Sequence, residues 1–175
     1  RALRTPKRNE YAFATEGLAR AVAAEWDAQG ERIAPFTMPL TSLSATAIDH
    51  MGDAETRRVH VETLLKYFGT DATRVRSPDE ATAARQAKAH DPIVAWAERE
   101  FGPVETSDSI FGPGTSEKTV EVLRRRLHAM CPWELTCAFA LSAATKSLLI
   151  SLKTLRGGLT VDEAIAAARV EEEAQ

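Results

Sequence analysis

The side chains best suited to catalysis or metal binding are four histidines and two cysteines, and their spacing favours neither role. The histidines follow no HExxH or His-x-His pattern, so we interpret them as core or surface residues and predict no metal site. They are His50, His60, His90 and His128. Cys131 would need partners from elsewhere in the fold to act as a nucleophile, because His128 lies on the same predicted helix seam. Two cysteines, Cys131 and Cys137, favour a reducing compartment over a disulfide scaffold.

Residues 112–119 (GPGTSEKT) superficially resemble a phosphate-binding loop. Glu117 precedes Lys118, however, at the position where glycine must let the backbone turn around the phosphates. No buried strand is predicted before the loop either. We therefore predict no nucleotide hydrolysis, no cofactor and no enzymatic activity.

Two runs of like charge are candidates for contact with a partner. Arg124-Arg125-Arg126 fits either a solvated helix face or contact with phosphate or RNA, although no aromatic platform interleaves with it. Glu171-Glu172-Glu173 lies late in a predicted helix, where acids oppose the macrodipole at a cost of some tenths of a kcal/mol. That run is either solvated or used to dock a basic partner.

The composition bounds the fold that must position these residues. The chain has 175 residues, of which 44% are hydrophobic and 27% charged, with a net charge of −3. These values exclude general disorder and a global basic field. The fold class predicted is α+β, mainly α, with a small N-terminal α+β domain over residues 1–78 and an all-α domain over residues 79–175. The extended segments expected in the first domain are an edge strand or turn in the first dozen residues, residues 33–40 and a short strand at 71–77.

Helix signals dominate the remainder. Thr15, Ser116 and Thr160 are predicted N-caps, and the last opens a capping box with Glu163. A helix over residues 79–89 is expected to give way to a second that starts at Asp91-Pro92. Residues 133–152 predict one central helix, which polar residues disqualify as a membrane span.

Short motifs occur in an order and spacing typical of one family. In chain order they are Leu3-Arg-Thr-Pro6, Glu25-Trp-Asp27, Thr37-Met-Pro-Leu-Thr41, Ile48-Asp49, Tyr67-Phe-Gly-Thr-Asp71, Gln86, Asp91-Pro92 with Trp96, and Glu171-Glu-Glu173 with Gln175. From end to end, the chain resembles the assembly chaperone that binds the α subunit of the catalytic head of F-type ATP synthase.

The resemblance implies a non-enzymatic protein of the mitochondrial matrix, or of an alphaproteobacterial cytoplasm. It would hold unassembled α subunit, without ATP, until the αβ hexamer forms. It implies a monomer when free, with no membrane insertion and no nucleic-acid partner outside a ribosomal assembly. The client contacts carried over are Glu171, Glu172 and Glu173. The residues given structural roles are Trp26, Asp27, Asp91, Pro92 and Trp96.

A second hypothesis stays open. The same scaffold would suit a structural or assembly component of another large organellar complex, for example a mitochondrial ribosome precursor. Its sequence support is the run Arg124-Arg125-Arg126 and the basic start of the chain.

Overall fold

A computed structural model describes residues 3–109, 111–170 and 172, and folds them into eight α-helices and two short 3₁₀ helices. The α-helices are α1 Glu16–Asp27, α2 Pro39–Asp49, α3 Ala54–Gly69, α4 Glu80–Phe101, α5 Glu117–Ala129, α6 Pro132–Thr145, α7 Leu148–Leu155 and α8 Val161–Arg169. The 3₁₀ helices are Pro35–Thr37 and Ala72–Arg74. The predicted caps Thr15, Ser116 and Thr160 are confirmed, since each side chain accepts a hydrogen bond from the first turn of its helix.

The predicted α+β fold class is wrong, because the described part of the chain contains helices and no sheet. Two isolated bridges, Arg4–Glu10 and Val75–Ser107, are its only β pairing. Pro35 and Pro39, which suggested an extended segment, instead open the first 3₁₀ helix and α2, since proline suits the first turn of a helix. The segment expected as a strand at 71–77 contains the second 3₁₀ helix.

Pro92 does not start a new helix, contrary to the prediction. It lies inside α4, which continues from Glu80 to Phe101. An internal proline costs about 3 kcal/mol through its lost N–H and its clash with the preceding turn. Residues on both sides of it are buried, including His90 and Ile93, so packing outweighs the local signal.

The single helix predicted over residues 133–152 is two helices, α6 and α7. Lys146 ends α6 in the left-handed conformation, with φ 52°. Ser147 then caps α7, its hydroxyl accepting from Ile150 N at 3.0 Å. The break turns the chain back on itself, so that α7 packs against α6.

One apolar cluster forms the core. It draws residues from α3 to α8, with Phe68, Leu123, Leu135 and Leu149 among those almost fully buried. The division of the chain at residues 78 and 79 stays a prediction.

Two buried charged residues join the helices to the loops. Asp71 accepts hydrogen bonds from Thr73 N at 3.0 Å and from Leu149 N, in the first turn of α7, at 3.0 Å. Burial raises the pKa of Asp71, against the opposing effect of these bonds.

Arg74 lies over the Phe68 ring, 4.4 Å from its centroid, and donates to the carbonyls of Phe68, Glu105 and Gly114. It therefore fixes the loop that connects α4 to α5.

A carboxylate on α1 caps α2 from outside. Met38, the N-cap of α2, makes no side-chain cap bond. Glu25 supplies the acceptors instead, taking bonds from Leu40 N and Thr41 N at 2.7 Å each. The orphan N–H groups at the start of α2 are thus satisfied by a residue fifteen positions earlier.

Candidate functional site

One candidate for binding a partner is a groove of about 390 Å³ between the end of α6 and α8, here called the α6–α8 groove. Its apolar lining is Leu141, Ala144, Val161, Ala164, Ile165 and Ala168. Its polar lining is Thr145, Lys146, Thr154, Arg169 and Glu172. An apolar wall with charged residues at one end suits a polypeptide segment better than a small polar metabolite.

Helix α8 forms because its N-terminus is fully capped. Thr160 Oγ1 accepts from Glu163 N at 3.2 Å, while Glu163 Oε2 accepts from Thr160 N at 2.7 Å. This reciprocal capping box satisfies two backbone donors. The bonds that Thr160 N and Thr160 Oγ1 donate to Glu163 Oε2 lower the pKa of Glu163, which favours its charged form beside the positive end of the helix.

The larger apolar side chains of α8 face outward. Val161 is 69% exposed and Ile165 is 46% exposed, whereas the two buried positions of the helix are Ala164 and Ala167. A helix that packs only against its own protein shows the reverse order, with its largest apolar residues inside. The open face of α8 is therefore suited to a partner.

Glu172 is the predicted client residue that the structure describes. It is exposed and lines both the α6–α8 groove and an adjoining cavity of about 180 Å³. Lys146 lines both spaces as well, so the two open onto a shared charged edge. Glu171 and Glu173 lie outside the described residues.

The predicted structural residues lie elsewhere. Trp26 and Asp27 line a separate groove of about 450 Å³, which Tyr11 and Phe13 also line. Trp26 is partly buried, and its indole Nε1 is shielded from solvent without a hydrogen-bond partner. The structure does not bring these residues to the α6–α8 groove.

The α4 residues have identifiable structural contacts. Trp96 packs edge-on against Phe101, with ring centroids 5.4 Å apart. Asp91 accepts from Arg76 Nη2 at 2.5 Å and is itself exposed. Pro92 contributes its carbonyl, which accepts from Lys153 Nζ at 3.1 Å and so ties α4 to α7.

The two cysteines lie in different environments on α6. Cys131 is exposed at the N-cap of α6, where its sulfur accepts from Glu134 N at 3.5 Å. Burial raises the pKa of Cys137, which disfavours its thiolate. In the described ranges, no three His, Cys, Asp or Glu side chains lie close enough together to hold a metal ion.

Two arginines of the basic run are engaged in ion pairs. Arg124 pairs with Glu62 and, at 3.4 Å, with Glu121, which also lies 3.9 Å from Arg125. Neutralising partners of this kind weaken the attraction of the run for phosphate.

Sequence reasoning missed the apolar part of the groove. Val161 and Ile165 are spaced four residues apart on α8, which is a signal for one helix face. Spacing alone does not say whether that face is covered.

Among the residues that the structure describes, no helix is both long and apolar enough to cross a membrane.

Comparisons with known proteins connect this geometry to one family. The family model described as ATP12 chaperone protein matches residues 1–98. The mitochondrial protein atp12 of Schizosaccharomyces pombe is 24% identical over 166 residues, which cover 89% of this chain. The chain spans 57% of the length of that curated relative.

Solved structures of bacterial proteins share the fold. Atp12 from Paracoccus denitrificans superposes with a TM-score of 0.91 and 32% identity, over 100% of this chain and 75% of that chain. The protein Atu1473 from Agrobacterium tumefaciens superposes with a TM-score of 0.89 and 28% identity, over 98% of this chain and 65% of that chain.

Proposed function

Because this chain belongs to the ATP12 chaperone family, we propose that it binds unassembled ATP synthase α subunit and prevents its aggregation until the αβ hexamer forms. The family resemblance predicted from the sequence is confirmed. The client and the contact residues are the proposed part. Glu172, with Glu171 and Glu173 beside it in sequence, is the acidic contact.

The observation that supports this proposal best is the reversed apolar order of α8. Val161 and Ile165 remain exposed while Ala164 and Ala167 are buried, and Glu172 lies at the end of the same groove. An orphan subunit exposes an apolar interface that would otherwise self-associate. An apolar strip with the Glu172 carboxylate in its lining complements an interface segment carrying apolar and basic side chains.

Such a chaperone works by mass action and does not need to turn over a nucleotide. Binding the exposed interface lowers the concentration of aggregation-prone subunit, and the true partner subunit displaces the chaperone by binding the same surface more tightly. The protein acts in this scheme as a non-enzymatic monomer. Its compartment is the mitochondrial matrix, or the cytoplasm of an alphaproteobacterium.

The test is co-purification of the protein with separately expressed α subunit after single charge reversals. We expect Glu172→Lys to weaken binding at least fivefold, since it places a cation against a basic client segment. Adding Glu173→Lys is expected to deepen the loss. Glu31→Lys is the matched control, because Glu31 is an exposed acid in the loop after α1 and far in sequence from α8.

A second pair of variants tests the apolar strip. Ile165→Ser should weaken binding, while Val59→Ser, at a 51% exposed position of α3, should not. Equal binding by Glu172→Lys, Ile165→Ser and their two controls would remove the groove as the contact site. Failure of the wild-type protein to bind α subunit would reject the client itself.

A further inference from the structure

Helix α8 packs on the rest of the molecule through small side chains. Ala164 and Ala167 are buried in the core and Ala168 is partly buried against it, and these methyl groups remove little apolar surface from water. Cavities of about 390, 180 and 450 Å³ flank the helix on the sides facing α6, the α6–α7 turn and α4. Elements with few buried apolar contacts open at low free energy. Packing alone therefore does not fix the angle of α8.

A hydrogen bond attaches α8 to α4. His90, 2% exposed on α4, places its Nε2 at 2.8 Å from the carbonyl oxygen of Ala167. A carbonyl only accepts, so Nε2 carries the hydrogen and donates it. Ala167 lies in the last turn of α8, so this bond joins the end of that helix to α4.

The other end of α8 is joined to α7 by two consecutive glycines. Gly157 has φ 70°, in the left-handed region that favours glycine, and its N–H donates to Thr154 O at 2.9 Å. The Gly158 N–H donates to Lys153 O at 2.9 Å. Beyond this turn Leu159 packs against the core and Thr160 caps α8, so rotations at the two glycines would reorient α8 about this anchored linker.

We propose that α8 is a hinged element and that His90 is the positioning residue that holds its client-binding face in place. The inference rests on the proposed function, because the face concerned is the wall of the α6–α8 groove. With the bond from His90 to Ala167 intact, Val161 and Ile165 stay aligned with Glu172. Without it, α8 turns about Gly157-Gly158 and the groove loses its shape. A bound client holds α8 in the position in which the bond from His90 to Ala167 is intact.

Hydrogen exchange followed by mass spectrometry tests the hinge on the free protein. We expect the amides of α8 to exchange together and faster than those of α7, and to slow when purified α subunit is bound. In His90→Phe, which keeps a ring but no donor, α8 exchange should rise about fivefold, the effect of one lost hydrogen bond. His90→Gln restores a donor at a similar reach and should return exchange to within about twofold of wild type.

Binding to α subunit distinguishes a positioning role of His90 from a purely structural role. His90→Phe should bind about fivefold more weakly and His90→Gln near normally, while exchange in α3 is unchanged in both. Equal protection of α7 and α8 in the free wild-type protein would overturn the hinge, whether or not α subunit binds. Normal binding by His90→Phe, despite faster α8 exchange, would overturn the positioning role and leave the proposed function standing.

Discussion

Replacing Asp49 with asparagine is expected to release the N-terminal turn, residues 3–11, from α2 while the helical core stays folded. The Asp49 carboxylate is the centre of that attachment. It accepts bonds from Thr5 Oγ1 at 2.5 Å, Asn9 Nδ2 at 2.8 Å and Lys7 N at 3.0 Å. Desolvation acts to raise the pKa of Asp49, but these bonds outweigh it and hold the pKa below its usual value.

The magnitude follows from the three bonds. Asparagine keeps one oxygen, and its amide would face the Lys7 N–H, so that bond is lost outright. The bonds from Thr5 and Asn9 survive without charge assistance, which is worth about 1 kcal/mol for each. Together with about 1.5 kcal/mol for the lost bond, the attachment weakens by about 3.5 kcal/mol, or roughly 400-fold in the opening equilibrium.

Limited trypsin digestion measures this opening, because Arg8 lies within the turn. Cleavage after Arg8 should accelerate roughly 400-fold in Asp49→Asn if the turn opens and closes faster than it is cut. Cleavage after Arg32, in the exposed loop beyond α1, is the internal reference and should not change. Thr5→Val should give a smaller effect that is not additive with Asp49→Asn. Unchanged cleavage at Arg8 relative to Arg32 would refute the role given to Asp49.

Three further predictions concern stability. Glu25→Gln should lower the free energy of unfolding, measured in urea, by about 2 kcal/mol, because Leu40 N and Thr41 N lose their charged acceptor. An effect under about 0.5 kcal/mol would contradict the capping role of Glu25. Arg74→Lys should lower the free energy of unfolding by about 3 kcal/mol, because one ammonium does not replace a planar guanidinium that donates to three carbonyls. The control Arg126→Lys, at an exposed position, should change it by less than about 0.5 kcal/mol. The pKa values of Asp49 and Glu25 are lower in the folded protein than in the unfolded chain. Both carboxylates therefore stabilise the fold above the unfolded values near pH 4, and this stabilisation is lost as the pH falls further. In thermal melts between pH 6 and 3, the melting temperature should fall less steeply for Asp49→Asn than for the wild-type protein.

Features that depend on a few neighbouring residues could be predicted from the sequence. The caps at Thr15, Ser116 and Thr160 each involve a side chain and an N–H three residues later, so local chemistry decides them. The cap of α2 could not be found in this way, because Glu25 reaches it from another helix. Nor does any local pattern near Met38 reveal that its helix is capped at all.

The described residues contain no sheet, because a strand needs a partner that the local sequence does not contain. Residues 3–11 have the extended character expected of an edge strand, but Asp49 collects their donors and leaves one bridge, Arg4–Glu10. Near residue 75 the buried Asp71 turns the chain into a 3₁₀ helix by accepting from Thr73 N. In each place a carboxylate takes one backbone donor of the segment, Lys7 N or Thr73 N, that a ladder would have used.

The candidate site shows the same limit in a form that bears on function. The acidic run at Glu171–Glu173 is visible in the sequence, but its apolar neighbours Val161 and Ile165 could equally have been core residues. What decides between these roles is which face of α8 meets α4, and residues far apart in the sequence, such as His90 and Ala167, make that contact. Alanines are thereby turned inward and the larger residues outward. This order is unfavourable for an isolated molecule, and it becomes favourable when another polypeptide covers the exposed face.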